Sequence, residues 1–235
     1  MQSRKSVRRR LAAMILLAAC AAAQPPSNSA PVDKLKVVLE RLDRTAAEFR
    51  SAEASFEWDQ YQRVTDETEK QQGKVYFRRA GGSVQMAANV TDPPPAKNVL
   101  YSRGKVQLYQ ANTDHLDVYD AGKSNGAVES FLGLGFGGSG RDMLKSFDVT
   151  YGGSEKVNGV DTDRLELIPK TDKVKGMFNR IELWIDSRGI SIQQKFISPE
   201  GDYHITHYTN IISNKKIADS VFKIKTSSNT RIENH

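Results

Sequence analysis

The sequence predicts a mainly β domain with a few helices, an α+β fold in which an antiparallel meander follows one amphipathic helix. Three observations predict it. Leu35, Val38, Leu39, Leu42, Ala46 and Phe49 recur at spacings of three and four with charges between them, the period of a helix with one apolar face. From Ala52 the period changes to two: Ala52, Ala54, Phe56 and Trp58 alternate with Glu53, Ser55, Glu57 and Asp59, so one strand face is apolar and the other wet. Similar runs then follow one another across tight turns such as Arg103-Gly104, Asn158-Gly159, Ser187-Arg188-Gly189 and Glu200-Gly201-Asp202. Links this short join antiparallel strands, because a parallel crossover needs roughly a dozen residues or more.

The N-terminus precedes the domain and reads as an export signal. Arg4, Lys5, Arg8, Arg9 and Arg10 lead into the apolar run Leu11 to Ala19, with no acidic residue among them. That run is about half the ~20 residues of a spanning helix, which argues against a transmembrane anchor. Two processing sites compete. Leu17-Ala18-Ala19-Cys20 resembles a bacterial lipobox, in which Cys20 would be lipidated, while Ala21-Ala22-Ala23 suits ordinary cleavage before Gln24. Either outcome places the mature chain outside the cytoplasm, in the periplasm, with an outer-membrane anchor in the first case.

Charge narrows the classes of function. The chain carries 34 Lys and Arg against 28 Asp and Glu, a net of +6. Without the five positives of the signal the balance is 29 against 28, so no basic surface for nucleic acid is expected. Cys20 is the only cysteine, which leaves no structural disulfide. The expected divisions are a signal over 1–23, a Pro- and Ser-rich linker over 24–33, a single domain over 34–227 and a tail over 228–235.

Within the domain, Asp33 suits the N-cap of the helix. Strands are expected near Lys74–Arg79, Ser83–Val90, Asn98–Ser102, Lys105–Ala111, His115–Tyr119, Phe147–Tyr151, Thr162–Ile168, Phe178–Asp186, Ser191–Ser198, Tyr203–Ile212 and Val221–Lys225. One region interrupts them. Two short helical pieces, Ala127–Leu132 and Gly140–Ser146, flank the glycine-rich Gly133-Leu134-Gly135-Phe136-Gly137-Gly138. Phe131, Leu132, Leu134 and Phe136 set in flexible backbone suit a movable flap over an apolar surface; the other reading is a surface loop with anchoring hydrophobes.

No catalytic or metal-binding constellation stands out. Gly135 to Gly140 matches GxGxxG, but a dinucleotide site needs that turn inside a βαβ unit. His204 and His207 form an HxxH pair that a strand would point to opposite faces, and neither His115 nor His235 has a ligand-like neighbourhood in sequence. Asp161, Asp163 and Glu155 sit at turn-like or solvent-alternating positions, and no serine has a nucleophile-elbow context. The expectation is a binding protein and not an enzyme, with no cofactor and no metal.

The order of elements, together with several short motifs, resembles the outer-membrane lipoprotein carrier and receptor group, the LolA/LolB-like family. Leu39-Glu-Arg-Leu42 with Ala54-Ser-Phe56 resembles the family's opening helix and first strand. Gly73-Lys-Val-Tyr-Phe-Arg-Arg79 resembles its aromatic strand ending in arginine, Ser102 to Tyr109 its DGKxLWxY hairpin, and Leu167-Ile-Pro-Lys170 its LxPK strand end. The chain departs from the family at Ala80, where a proline is usual, at Arg103 in place of the turn aspartate, and at Gln107 or Leu108 in place of the hairpin tryptophan.

The resemblance implies a strongly curved sheet forming an unclosed β-barrel, covered by the N-terminal helix and a short helical lid. It implies a monomer that takes lipoprotein acyl chains or lipid into an apolar cavity. It also implies exchange with an inner-membrane lipoprotein-releasing transporter, an outer-membrane acceptor, or both. A lipid- or lipoprotein-sensing regulatory module of the same fold is the alternative. Arg79 corresponds to the family arginine that fastens the lid, whose residues here are Phe131, Leu132, Leu134 and Phe136. With Arg79 towards the lid, period two turns Val75 and Phe77 to the cavity, with Val84 and Met86 as a neighbouring wall. The competing reading makes all of these plain sheet-to-helix core, with Phe56 and Trp58 under the first helix.

Overall fold

Asp33 caps the first helix as its position suggests, its carboxylate accepting from the Lys36 amide at 3.2 Å. The computed structural model describes residues 33–81, 83–120 and 131–235. Helix α1 (Lys34–Glu48) buries Val38, Leu42 and Ala46, spaced by four, against the sheet. Its polar side is tied down as well: Arg41 bonds the Asp186 carbonyl and pairs with Asp163, each at 3.0 Å, and Thr45 donates to the Arg188 carbonyl.

Twelve strands form one sheet. They are β1 (Ser51–Gln62), β2 (Glu67–Ala80), β3 (Ser83–Asp92), β4 (Lys97–Ser102), β5 (Lys105–Gln110), β6 (His115–Asp120), β7 (Phe147–Val157), β8 (Val160–Pro169), β9 (Arg180–Ile185), β10 (Ser191–Ile197), β11 (Tyr203–Ser213) and β12 (Arg231–Asn234). Their order is β12-β6-β5-β4-β3-β2-β1-β11-β10-β9-β8-β7. Two meanders, β1–β6 and β7–β11, are thus joined where β11 pairs with β1. Every pair is antiparallel except β12 on β6. Among the described residues no ladder joins β7 to β12, so the sheet is an unclosed barrel, mainly β with short helices.

Pairing registers carry one apolar face across the sheet. Phe77 faces Met86, Ala88 faces Val99, Phe56 faces Tyr208, and Gln194 faces Leu183. Two clusters fill this concave side. One joins Val38 and Leu42 of α1 with Leu165, Leu167, Ile181 and Leu183; the other joins Phe49, Ala52, Ala54, Phe56, Val75, Phe77 and Phe136. Helices α2 (Gly140–Ser146) and α3 (Asp172–Lys175) both sit at the β7–β8 end of the sheet; α2 matches the helical piece expected there, while α3 lacked any periodic signal. Among the described residues no helix is long and apolar enough to cross a membrane.

The C-terminal region differs from expectation. Residues 221–225 are not a strand: a 3-10 turn at Asp219–Phe222 packs Phe222, with Ile217, Val221 and Ile224, on Tyr76, Ala87 and Leu100 of the outer face. Spacings of four and three at 217, 221 and 224 serve that packing and cannot present a single strand face. The last strand lies later, inside residues 228–235, where a tail was expected. Cys20, the signal and residues 121–130 lie outside the described residues, as does most of the helical piece expected over 127–132.

Candidate functional site

Between the two clusters lies an apolar cavity of about 470 Å³. One wall is β1–β3, contributing Phe56, Trp58, Val75, Phe77, Met86 and Ala88; the other is β10 and β11, contributing Gln194, Phe196, His204, Thr206 and Tyr208. Phe131 and Leu132 close it from the lid side, with Met177 and Phe178 beside them. Val75, Phe77 and Met86 therefore line the cavity, whereas Val84 packs on the cluster next to it. Phe56 and Trp58 also face the cavity, not the underside of α1. They do so because α1 packs on β8 and β9, with β11 and β10 between those strands and β1, and the apolar face of β1 opens onto the space between the clusters.

The segment expected as a flap, here termed the lid, runs from Phe131 into α2. Phe131 packs edge-on to Phe178 and Phe147, while Phe136 stacks on Phe77 with centroids 4.6 Å apart and meets Tyr208 edge-on. Arg79 lies at the end of β2 on the face of Val75 and Phe77, and its Nη2 donates to the Gly137 carbonyl at 2.9 Å. The lid glycines work differently from the freedom expected of them. A Cβ on Gly137, where φ is +83°, would meet the Phe49 ring at 2.2 Å, and one on Gly140 would meet the Leu39 carbonyl at 2.6 Å. They admit close approach, and Leu134 and Phe136 are buried at 3% and 2% exposure. The segment is seated by Leu134 in one cluster and Phe136 in the other, with Phe131 and Leu132 over the opening.

His204 and His207 point to opposite faces, as odd spacing on a strand requires. His204 lies in the cavity, stacked on Phe196 at 4.8 Å and edge-on to Trp58 and Phe178. Burial among these rings lowers its pKa to about 4, because a charged imidazole would lose its hydration there. The same desolvation pushes the Tyr208 phenol far up. His207 faces a second, larger groove of about 610 Å³ on the other side of the sheet, with Glu57, Gln72 and Lys74 in its lining. The lining of that groove is the more polar of the two, and the apolar cavity is the better match to a lipid.

The acidic residues considered for catalysis are engaged elsewhere. Asp163 accepts from Tyr151 and Ser154 and pairs with Arg41, Asp161 pairs with Lys156, and Glu155 accepts from the Trp184 indole at 2.7 Å. Gly135 to Gly140 lies between a helical turn at 131–133 and the short α2, not in a βαβ unit. Sequence reasoning missed the far wall, Phe196, His204 and Tyr208, and Phe178 beside the lid. The signal was present, since 194 and 196, and 204, 206 and 208, keep period two within their strands.

No protein-family model matches the sequence, and no curated protein matches it. Solved structures do. An uncharacterized conserved protein from Thermus thermophilus superposes with a TM-score of 0.54 at 10% identity, covering 85% of this chain and 98% of that one. MucB superposes with a TM-score of 0.51 at 14% identity, covering 81% of this chain and 62% of MucB, so nearly two fifths of MucB has no counterpart here. A LolA superfamily protein from Nitrosomonas europaea is also a structural neighbour, at 12% identity over 81% of this chain and 97% of that one, with a TM-score of 0.41. The likeness is one of fold.

Proposed function

We propose that this protein binds lipoprotein acyl chains in the cavity between β1–β3 and β10–β11, outside the cytoplasm, and passes them towards the outer membrane. The observation that carries the reading is an apolar cavity of about 470 Å³ under a lid held by Phe136 and Arg79. Each CH₂ moved from water into such a space contributes about 0.8 kcal/mol, so a long chain gains high affinity without polar contacts. A lid that opens and closes converts that affinity into uptake and release. A binding role also fits the lining, in which no carboxylate stands beside His204 among the described residues. Arg79 is the latch in this reading, and Val75, Phe77 and Met86 are the chain-contacting wall.

Native mass spectrometry of protein purified under mild conditions tests it. Co-purifying lipid or lipopeptide, displaced by a diacylated peptide, is the expected result. A protein that carries neither, and binds neither when offered, sinks the proposal.

The likeness to MucB favours one second reading, a sensing module that responds to lipid or mislocalised lipoprotein by contacting a signalling partner. MucB has been solved in complex with MucA. Capture of a membrane signalling protein, in place of sorting components, would select this reading.

A further inference from the structure

At the β12 end of the sheet the parallel pairing of β12 with β6 sets Arg231 beside His115 and Glu233 beside Asp117. Parallel register partners share a face, so His115, Asp117, Glu233 and His235 converge although more than a hundred residues separate the two strands. The Nε2 atoms of His115 and His235 lie 3.2 and 2.9 Å from the same Asp117 Oδ1, and Glu233 Oε2 lies 3.7 Å from His115 Nε2. One donor atom from each of His115, Asp117 and Glu233 falls within 4.8 Å of the others.

A tetrahedral ion with metal–ligand bonds of about 2.0–2.1 Å keeps neighbouring donor atoms about 3.3 Å apart. The His115–Asp117 and His115–Glu233 separations, 3.2 and 3.7 Å, bracket that value. Imidazole nitrogens combined with carboxylate oxygens suit a borderline transition metal; calcium and magnesium prefer an all-oxygen set. The outer contacts also orient the donors. Arg231 takes Oε1 of Glu233 and leaves Oε2 facing His115, and the Tyr119 ring stacks on His235 at 4.5 Å.

We propose that His115, Asp117 and Glu233 bind one divalent ion of the zinc class and thereby clasp β12 onto β6, with His235 bonded to Asp117 beside them. The site draws two ligands from β6 and one from β12, so the ion cross-links the edge of the sheet. It is independent of the lipid-binding reading, and its test needs no lipid.

Zinc titrated into chelator-stripped protein that carries no polyhistidine tag, followed by calorimetry and by cobalt substitution, tests the site. One equivalent should bind, with a cobalt spectrum of tetrahedral type. His115→Ala and Glu233→Gln should each weaken binding about tenfold or more. Zinc should also slow hydrogen exchange of the amides at 231–234. Absence of binding, wild-type affinity in both variants, or loss of binding on His207→Ala in their place would overturn it. Glu233 is partly exposed on a terminal strand, so Glu233→Gln decides alone should His115→Ala fail to fold.

Discussion

Arg78 and Arg79 are adjacent in β2 and fasten opposite faces of the sheet. Arg79 reaches over the concave side to the Gly137 carbonyl of the lid. Arg78 turns outward, where it donates to Gln85 at 2.7 Å, pairs with Asp219, and lies 4.1 Å from the centroid of the Phe222 ring. Strand alternation thus gives two identical side chains two different tasks, one on the lid and one on the C-terminal segment.

Arg79→Leu should leave stability within about 1 kcal/mol of wild type, since it removes one exposed hydrogen bond. Losing the same bond from the closed state alone should speed release of a bound fluorescent acyl probe about fivefold. Arg78→Leu should show the reverse pattern, losing about 1–2 kcal/mol of stability with release unchanged. Urea midpoints and stopped-flow release separate the two. Wild-type release from Arg79→Leu would remove the latch from the mechanism.

Gly137→Ala should cost about 1–3 kcal/mol, because the new methyl group meets the Phe49 ring and the backbone holds positive φ. Gly153→Ala is the control: its φ is +108° and nothing lies within 4 Å, so it isolates the backbone component, about 1–2 kcal/mol. Equal losses in urea denaturation would mean that Phe49 moves aside freely.

Met86→Trp should fill part of the cavity without unfolding the protein, because Met86 is only partly buried and faces open space. Displacing roughly two or more methylenes of a bound chain costs about 1.6 kcal/mol, or more than tenfold in acyl affinity. Binding isotherms read this directly, and unchanged affinity would place the acyl site elsewhere.

His204 links stability to pH. Its folded pKa is about 4 against an unfolded value near 6.5, so between these values only the unfolded chain holds the proton. Stability from this group is complete above about pH 6.5 and is lost as pH falls towards 4, by about 3 kcal/mol in all. His204→Phe should therefore lose less stability than wild type between about pH 7 and 4.5 in chemical denaturation. Parallel profiles would mean that the imidazole is hydrated inside the cavity.

The sheet was legible in the sequence because alternation is local: Ala52 to Trp58 and His204 to Tyr208 each announce a face within a few residues. The fate of that face was less legible. Phe56 and Trp58 suit a helix-covered core as well as a cavity, and strand order alone decides between them. Around Gly133–Gly138, composition suggested freedom, while the packing of Phe49 and Leu39 uses Gly137 and the neighbouring Gly140 for contact. The His115 cluster was beyond sequence spacing altogether, since it depends on a parallel pairing between β6 and a four-residue strand far away in the chain.

The end strands of the sheet, β7 and β12, which no ladder joins among the described residues, bear on capacity. A closed barrel fixes its bore, because widening it must break a complete ladder of backbone hydrogen bonds. Here the strands can splay while keeping every ladder intact, and the resistance comes from side-chain contacts such as Phe77 on Phe136 and from the Arg79 bond. In the proposed lipid-binding role, the 470 Å³ would then be the resting volume of an elastic container, one able to accept guests of different girth with a single set of walls.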